Sequence, residues 1–279
     1  MFVYKALADG DGKFAGIRAR LTLRGDQQAA TRYRKEATAP VYSHTTLRLL
    51  LTKHTCNTSV RLIQGDVGGA YLTAFMRSKV TARLPAKYRG ASVDSNGELI
   101  MPKRSYYHTL IDVFKALYGG DDSGRCFYDE WVAFHKQLGF ESIVYDRCYL
   151  RMTKGSSFIE MLWHVDDTLY FVNDDVLWTW YTDQIAAKYE MEFREVEDGQ
   201  VFTGFRICRY PHLGHTTIDQ QVSVEKTLRA FGFDEAKGRA NPIVDGKRPT
   251  KFDAPQTQEE ISHASRVPYH TSNILIANM

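Results

Sequence analysis

The sequence lacks several features that define whole classes of protein. No window approaches the about 20 uninterrupted apolar residues of a membrane span, because Asp174 and Asp175 interrupt the most apolar stretch. Residues 1–12 have no apolar segment of the signal-peptide type and include Asp9 and Asp11. From these absences we expect a protein without a membrane partner that is not secreted and is intracellular, in the cytoplasm or the nucleus.

Cysteine is also scarce, and the total charge is balanced. The four cysteines form no CxxC pair: Cys56, Cys126, Cys148 and Cys208. Neither a disulfide framework nor a thiolate zinc site is indicated, and we expect a reducing compartment. The net charge is only +3, from 36 Lys and Arg against 33 Asp and Glu, so total charge does not argue for a polyanionic partner.

What the sequence does contain is typical of a globular protein of about two domains. It has 279 residues, of which 43% are apolar and 25% are charged, and this composition excludes a disordered or collagenous chain. Residues 1–35 hold eight basic side chains against three acidic ones. Such a positive surface suits phosphates, although a solvated basic hairpin is the simpler interpretation of a charge cluster taken alone.

Hydrophobic periodicity and turn residues predict strands and helices that alternate without a regular βαβ rhythm. Strands are predicted over residues 2–8, 14–23, 60–67, 143–152, 158–172 (interrupted at 165–167), 202–209 and 216–219, and helices over 44–56, 70–76, 124–138, 178–189 and 222–231. Residues 88–105 are expected to form a loop or short hairpin, and the chain after Gly238 an extended tail. The pattern predicts an α+β fold with a mainly antiparallel sheet.

Three carboxylates stand out because apolar segments flank them. Asp166 and Asp167 interrupt an apolar hairpin, and Asp66 ends a buried strand before Gly68 and Gly69. A carboxylate beside buried neighbours loses hydration unless a cation compensates it. On adjacent strands the three could hold two divalent cations about 4 Å apart for phosphoryl or nucleotidyl transfer, and oxygen ligands favour magnesium. A surface turn is the alternative, since Asp-Asp pairs are common in turns.

Short segments along the chain resemble the motifs of one polymerase family. Residues 18–25 resemble "KARLV.KG", residues 64–72 "Q.DVKTAFL", residues 116–119 "SLYG", residues 164–167 "YVDD" and residues 202–207 "FLGIEI". In order and spacing these segments resemble the reverse transcriptase domain of copia-like LTR retrotransposon polyproteins. The resemblance extends over about residues 5–270.

This resemblance implies both a fold and a reaction. The fold would be that of a right-hand polymerase, with fingers, palm and part of a thumb over residues 1–238 and an extended tail over residues 239–279 toward an absent RNase H region. The reaction would be RNA-directed DNA synthesis, in which a dNTP is added to the 3′-hydroxyl of a primer on an RNA or DNA template. The remainder of a retrotransposon polyprotein is a further expected partner.

The family's metal site falls on the three acids already singled out. Carried across position by position, the resemblance makes Asp66 and Asp166 the main ligands of two Mg²⁺ ions, which Mn²⁺ could replace. It makes Asp167 an auxiliary acid and the backbone carbonyl of Val67 a further ligand.

The family's substrate contacts fall on four further positions. Tyr71 lies where the family's aromatic residue excludes a 2′-hydroxyl, although an ordinary core aromatic is as good an interpretation. Arg18 and Arg20 lie on one face of a predicted strand, where a cation would meet the triphosphate, and the sequence does not decide between them. Gly204 lies in the hairpin over residues 202–207 that would grip the primer end.

Two departures from the family pattern bear on activity. Asp121 and Asp122 stand where family members usually have a Lys-Gln pair, and this charge reversal beside the expected template path would repel phosphates. His164 replaces the tyrosine of the YVDD motif. A catalytically inactive retroelement remnant that at most binds nucleic acid is therefore one alternative, and a metal-dependent phosphohydrolase is another. His212 and His215 form an HxxH pair with no third ligand nearby, so they do not predict a zinc site.

Overall fold

A computed structural model describes most of the chain. The described residues are 2–8, 13–27, 37–84, 92–93, 99–100, 110–196, 199–233, 235–237, 250 and 254–266. The chain divides into two units, Met1–Leu51 with Ser59–Glu195, and Thr52–Thr58 with Val196–Met279. The turn predicted at residues 9–12 and most of the predicted tail lie outside the described residues.

The described residues form fifteen strands and six α-helices. The strands are β1 (Phe2–Ala8), β2 (Phe14–Leu21), β3 (Arg61–Val67), β4 (Phe75–Arg83), β5 (Ser92–Val93), β6 (Leu99–Ile100), β7 (Leu110–Lys115), β8 (Glu141–Ser142), β9 (Tyr149–Lys154), β10 (Ser157–His164), β11 (Asp167–Val172), β12 (Met191–Glu195), β13 (Gln200–Phe202), β14 (Phe205–Tyr210) and β15 (His215–Asp219). The helices are α1 (His44–His54), α2 (Ala70–Thr73), α3 (Ser123–Gln137), α4 (Asp175–Ala186), α5 (Gln221–Ala230) and α6 (Gln258–Arg266).

A six-stranded sheet is the centre of the first unit. Its strand order is β12-β3-β11-β10-β9-β8, and every neighbouring pair is antiparallel. Strands β10 and β11 form the hairpin that the sequence predicted around residues 165–167. The predicted α+β class with a mainly antiparallel sheet is confirmed.

Helices α3 and α4 cover one face of this sheet with aromatic side chains. Tyr128 of α3 stacks on Trp163 of β10, with ring centroids 5.9 Å apart. Trp178 of α4 packs edge-on against Tyr170 of β11, with centroids 5.1 Å apart. Since side chains alternate along a strand, Asp167 and its neighbours at every second position point to the opposite face. Asp167 therefore lies on the face away from these two helices, at the end of a strand whose next residues on that face, Leu169 and Phe171, are themselves buried.

The N-terminal hairpin is also confirmed. Strands β1 and β2 pair in antiparallel register, with Val3 opposite Arg20 and Lys5 opposite Arg18. In the segment predicted as a loop or short hairpin, the described part is the antiparallel pair of β5 and β6.

Three predicted elements differ from the structure. The helix predicted over residues 70–76 ends at Thr73, because Phe75 begins β4 and pairs with Lys115 of β7. The strand predicted from Ile143 begins only at Tyr149. Before that strand, the Asp146 carboxylate accepts hydrogen bonds from the backbone N–H groups of Ser43 and Cys148, both at 2.9 Å, and these bonds hold residues 143–148 as a loop.

A third difference concerns the predicted C-terminal tail, where residues 258–266 form α6 in place of extended chain. A reciprocal capping box starts this helix. The Glu260 carboxylate accepts from the Thr257 N–H at 3.0 Å, and the Thr257 hydroxyl accepts from the Glu260 N–H at 3.2 Å. The Thr-x-x-Glu spacing was therefore a readable helix signal. The division at residue 238 stays a prediction.

The second unit is a small antiparallel sheet with one helix on it. Its strand order is β13-β14-β15, and α5 contacts β14. The Arg209 guanidinium donates to the backbone carbonyls of His54 and Asn57, at 2.5 and 2.6 Å, so within this unit a side chain of β14 binds the segment Thr52–Thr58. Among the described residues, none of the helices is both long and apolar enough to cross a membrane.

His135 is buried at the centre of the aromatic layer. Its Nδ1 lies 2.8 Å from the carbonyl oxygen of Trp131 and its Nε2 lies 2.9 Å from the hydroxyl of Tyr181. A neutral imidazole has one N–H donor and one acceptor nitrogen, and these two groups satisfy both contacts. Burial lowers the pKa of His135 to about 3, and the fold therefore keeps this side chain uncharged.

We expect this histidine to make the fold sensitive to acid. As the pH falls below the ordinary histidine pKa of about 6.5, the unfolded chain binds a proton that the folded chain refuses until about pH 3, so stability falls over that window. Between pH 7.5 and pH 4.5 this linkage should remove about 2–3 kcal/mol of the free energy of unfolding. Urea titrations should give a smaller loss for His135→Gln than for the wild type. The exposed control His212→Gln should lose as much as the wild type, and an equal loss in all three proteins would contradict the assignment.

Candidate active site

The three predicted carboxylates lie together at one end of the central sheet. Asp66 on β3 is the direct cross-strand partner of Asp167 on β11, and directly opposed residues point to the same face with Cβ atoms about 5 Å apart. Asp166 precedes β11, and its carbonyl oxygen accepts a hydrogen bond from the Val67 N–H at 3.0 Å. The backbone pairing of β3 with β11 therefore produces the cluster that the sequence predicted.

The turn that carries Asp166 is strained. Val165 has a φ of +59°, a left-handed conformation that β-branched residues rarely adopt. Such a residue costs about 1–3 kcal/mol and persists only where surrounding contacts over-determine it. Here the antiparallel pairing of His164 with Asp167 closes the hairpin directly around it. The strained residue lies next to the carboxylates. Because the strand pairing fixes the backbone of the turn, it also fixes the position of Asp166.

The cluster carries negative charge that is only partly hydrated. Burial and, to a smaller extent, the charges of Asp166 and Asp66 together raise the pKa of Asp167 to about 6. Asp66 itself is exposed. Like charges held this close stay ionised at neutral pH only at an electrostatic cost, which a bound cation would remove.

The donor set fits magnesium that is shared with a substrate. In the part of the chain that the structure describes, no three His, Cys, Asp or Glu side chains together form a group that could hold a metal ion. Magnesium in polymerase-type sites is usually bound by one or two carboxylates together with substrate phosphates and water. Asp66 and Asp166, which open into the same cleft, supply such a pair of carboxylates.

A cleft of about 600 Å³ lies in front of Asp66 and Asp166. Its walls come from five places in the first unit: the end of β2, the end of β3 with the following glycines, α2, the turn before α3, and the turn between β10 and β11. The lining residues are Ala19, Arg20, Leu21, Asp66, Val67, Gly68, Gly69, Leu72, Leu117, Tyr118 and Asp166.

Arg20 supplies positive charge to this cleft. Among the described residues that line the cleft, Arg20 has the one cationic side chain. Its guanidinium carbon lies 5.0 Å from the centroid of the Tyr118 ring. The side chain of Arg18, the other candidate from the sequence, lies outside the described residues. The cleft therefore combines two acids on one wall with a cation on another.

Tyr71 lies one layer behind the cleft wall. Its ring packs on Tyr118 with centroids 4.5 Å apart and edge-on against Phe127 at 6.3 Å. It is not among the described lining residues. Burial raises the pKa of Tyr71, and the charge of Asp166 adds to this effect. These contacts are those of an ordinary core aromatic, which is the alternative interpretation that the sequence left open for Tyr71.

The structure shows local contacts for His164 and Asp122, two of the residues that depart from the family pattern. His164 is half-buried and packs edge-on against Tyr42 with centroids 5.9 Å apart, and burial lowers its pKa.

Asp122 is the residue that starts α3, and its carbonyl accepts from the Cys126 N–H at 2.9 Å. Acids at a helix N-terminus interact favourably with the helix dipole. Repulsion of a template by Asp121 and Asp122 stays a prediction.

Gly204 lies in the second unit, in the tight turn between β13 and β14. Thr203 and Gly204 have φ values of +46° and +92°, so both central residues of the turn are in the left-handed region. The Ser223 hydroxyl of α5 donates to the Gly204 carbonyl at 3.0 Å. The predicted hairpin is confirmed, and its contact with a primer stays a prediction.

Sequence reasoning missed Tyr118 as a cleft residue. It belongs to the SLYG-like segment, which was used for the resemblance and was given no role. The sequence did contain a pattern that points to a cleft residue here, because Leu117 and Tyr118 are apolar or aromatic residues directly before a glycine-rich turn. The contact of Tyr118 with Arg20 could not be predicted from the sequence, because almost one hundred positions separate the two residues.

Comparison with known proteins identifies the family of this chain. The model of the family described as reverse transcriptase (RNA-dependent DNA polymerase) matches residues 1–245, and the chain belongs to this family. The Retrovirus-related Pol polyprotein from transposon TNT 1-94 of Nicotiana tabacum is 24% identical over 272 residues, which cover 97% of this chain and 19% of that protein. The corresponding polyprotein from transposon RE2 of Arabidopsis thaliana is 27% identical over 243 residues, which cover 87% of this chain and 16% of that protein.

These relatives confirm the resemblance to the reverse transcriptase domain of copia-like retrotransposon polyproteins. The chain spans less than a fifth of the length of the curated relatives it matches. The solved structure of telomerase from Candida albicans with a TWJ fragment of telomeric RNA covers 65% of this chain and 35% of that chain, at 12% identity and a TM-score of 0.35. That similarity is too low to carry an argument.

The strained turn gives a stability prediction. Val165→Asn should raise the free energy of unfolding by about 1 kcal/mol, because asparagine tolerates a positive φ better than a β-branched residue. Chemical denaturation monitored by circular dichroism measures the difference. Val144→Asn, which makes the same change at a residue that is 91% exposed, should leave the stability unchanged. A Val165→Asn protein that is no more stable than the wild type would contradict the strain assignment.

Proposed function

We propose that this chain is the catalytic domain of an RNA-directed DNA polymerase that adds a dNTP to the 3′-hydroxyl of a primer on an RNA or DNA template. Family membership supplies the reaction class. In this proposal the β1–β2 hairpin belongs to the fingers, the six-stranded sheet is the palm, and the second unit is part of a thumb. The observation that carries the proposal is the cross-strand pair of Asp66 and Asp167, with Asp166 beside it, at a cleft that also contains Arg20.

The carboxylates would hold the metal ions. Asp66 and Asp166 would be the main ligands, and Asp167 and the carbonyl of Val67 would complete the site for two Mg²⁺ or Mn²⁺ ions. When bound, such ions activate the 3′-hydroxyl and neutralise charge on the leaving oxygen of an in-line displacement. The bond from the 3′-oxygen to the α-phosphorus forms while the bond from that phosphorus to pyrophosphate breaks.

The remaining residues would bind and orient the substrates. Arg20, with Arg18 as the other candidate, would neutralise the triphosphate, since guanidinium groups bind phosphate oxygens by paired, charge-assisted hydrogen bonds. Gly204 would let the primer backbone approach the β13–β14 turn closely. Tyr71, assigned from the resemblance to exclusion of a 2′-hydroxyl, would act through Tyr118, on which its ring packs. The rest of a Pol polyprotein would be a partner, and a cytoplasmic or nuclear location stays a prediction.

One observation favours a second candidate function, an inactive remnant that at most binds nucleic acid. Asp121 and Asp122 stand where family members usually have a Lys-Gln pair, and this charge reversal beside the expected template path would repel phosphates. A remnant would bind nucleic acid in a salt-dependent manner through its basic N-terminal residues and would incorporate no nucleotide.

Primer extension on a homopolymer RNA template tests the proposal. Asp166→Asn should reduce extension by about 1,000-fold or more, because a lost ligand removes several kcal/mol of transition-state stabilisation. Asp183→Asn is the matched control, since it makes the same change at an exposed residue of α4 that is not among the described cleft-lining residues. That control should extend primers normally. EDTA should abolish extension, and added Mg²⁺ or Mn²⁺ should restore it.

Two results would overturn the proposal. An Asp166→Asn protein that extends primers as the wild type does would remove the assignment of the metal site. A wild-type protein that is folded by circular dichroism and binds nucleic acid, yet incorporates no nucleotide with either metal, would establish the inactive remnant.

A further inference from the structure

An aromatic and cationic stack forms one wall of the cleft. The half-buried ring of Tyr118 contacts the ring of Tyr71, with centroids 4.5 Å apart and planes tilted by 50°, and the guanidinium of Arg20, whose carbon lies 5.0 Å from the Tyr118 centroid. A guanidinium over a tyrosine face is attracted by the electron-rich ring, most strongly where water is partly excluded. Tyr71 packs on this ring and is itself packed edge-on against Phe127, so Tyr118 offers Arg20 a supported surface.

The backbone around Tyr118 is joined tightly to the chain that follows β2. The Leu23 N–H donates to the Tyr118 carbonyl at 2.8 Å. Gly119 has a φ of +82°, and a Cβ atom there would overlap the Leu23 carbonyl. A Cβ atom at Gly25 would overlap the Gly119 carbonyl as well as the Asp121 carboxylate. At both positions there is room only for glycine. The close contacts hold the chain after β2, the strand that carries Arg20, against the turn that carries Tyr118.

The charges in the cleft explain why the contact of Arg20 with the Tyr118 ring matters. Asp66 and Asp166 line the same cleft as Arg20, and a free guanidinium is drawn to carboxylates, with which it forms paired hydrogen bonds. That pairing would neutralise both the acids and the arginine. A cation resting on an aromatic face keeps its N–H donors available at the edge of the guanidinium plane.

We propose that Tyr118 is a positioning residue that holds the Arg20 guanidinium away from the acidic pair and in place for the triphosphate of the incoming nucleotide. The inference rests on the proposed function and deepens it, because it assigns triphosphate recognition to a stack formed by β2 and the turn before α3. It also gives Tyr118 a role that depends on the ring face and is independent of the hydroxyl.

Two measurements on the full chain test this role: steady-state primer extension with varied dNTP, and calorimetric binding of inorganic tripolyphosphate in the presence of Mg²⁺. Tyr118→Leu should raise the KM for dNTP and weaken tripolyphosphate binding by about 3- to 10-fold while kcat changes little. Tyr118→Phe, which keeps the ring, should behave as the wild type. Arg20→Ala should be at least as impaired as Tyr118→Leu, and the double variant no worse than Arg20→Ala.

A matched control separates this role from general packing. Tyr128 also carries an arginine over its ring, with the Arg125 guanidinium carbon 5.4 Å from the centroid, and it is not among the cleft-lining residues described. Tyr128→Leu should cost stability and leave the KM unchanged. If Tyr118→Leu does not fold, Arg20→Lys replaces it, since lysine keeps the charge and lacks the planar face; it should also raise the KM.

The inference fails if Tyr118→Phe is as impaired as Tyr118→Leu, if the change falls on kcat with KM unaltered, or if Arg20→Lys binds tripolyphosphate as the wild type does. Failure of the proposed function gives a different result. A wild-type protein that incorporates no nucleotide yet loses tripolyphosphate binding on Tyr118→Leu would refute polymerase activity and support the stack as a triphosphate site.

Discussion

Two carboxylates that face each other across neighbouring antiparallel strands are the constraint around which the first unit is organised. Asp66 and Asp167 are fixed opposite each other by the register of β3 with β11, and that register is fixed in turn by apolar residues. A shift of one residue would turn Tyr170 away from the helices and turn Asp167 into the aromatic layer. The hydrophobic core therefore holds together charges that would otherwise separate.

The strained turn at Val165 belongs to the same arrangement. A two-residue connection between β10 and β11 brings Asp166 level with the end of β3, where the Val67 N–H binds its carbonyl. A longer, relaxed loop would leave Asp166 free to move away from Asp66. Strain next to the acids and burial of Asp167 have one common consequence, which is negative charge held in a fixed place.

The sequence predicted most of the elements because their signals are local. The β1–β2 hairpin, α3 with its terminal glycine, and the β10–β11 hairpin all follow from periodicity and turn residues within short windows. The errors arose where a distant partner decided the outcome. Phe75 is a strand residue because β7 pairs with it, and residues 143–148 are a loop because Asp146 binds Ser43. The helix α6 is different, since its Thr257 and Glu260 capping box was local and was overlooked.

The sequence by itself determined the chemistry: three acids in apolar surroundings, a basic N-terminal strand, and motifs that identify the family. It could do so because residue types and spacings along the chain are what a family preserves in a motif. Only the tertiary structure decided which side chains meet. Arg20 and Tyr118, almost one hundred positions apart, come together through the contact of the chain after β2 with the turn before α3. Tyr71, next to the acids in sequence, lies behind Tyr118 because its ring is buried against Phe127. Such contacts depend on the path of the backbone in space, and no local pattern encodes that path.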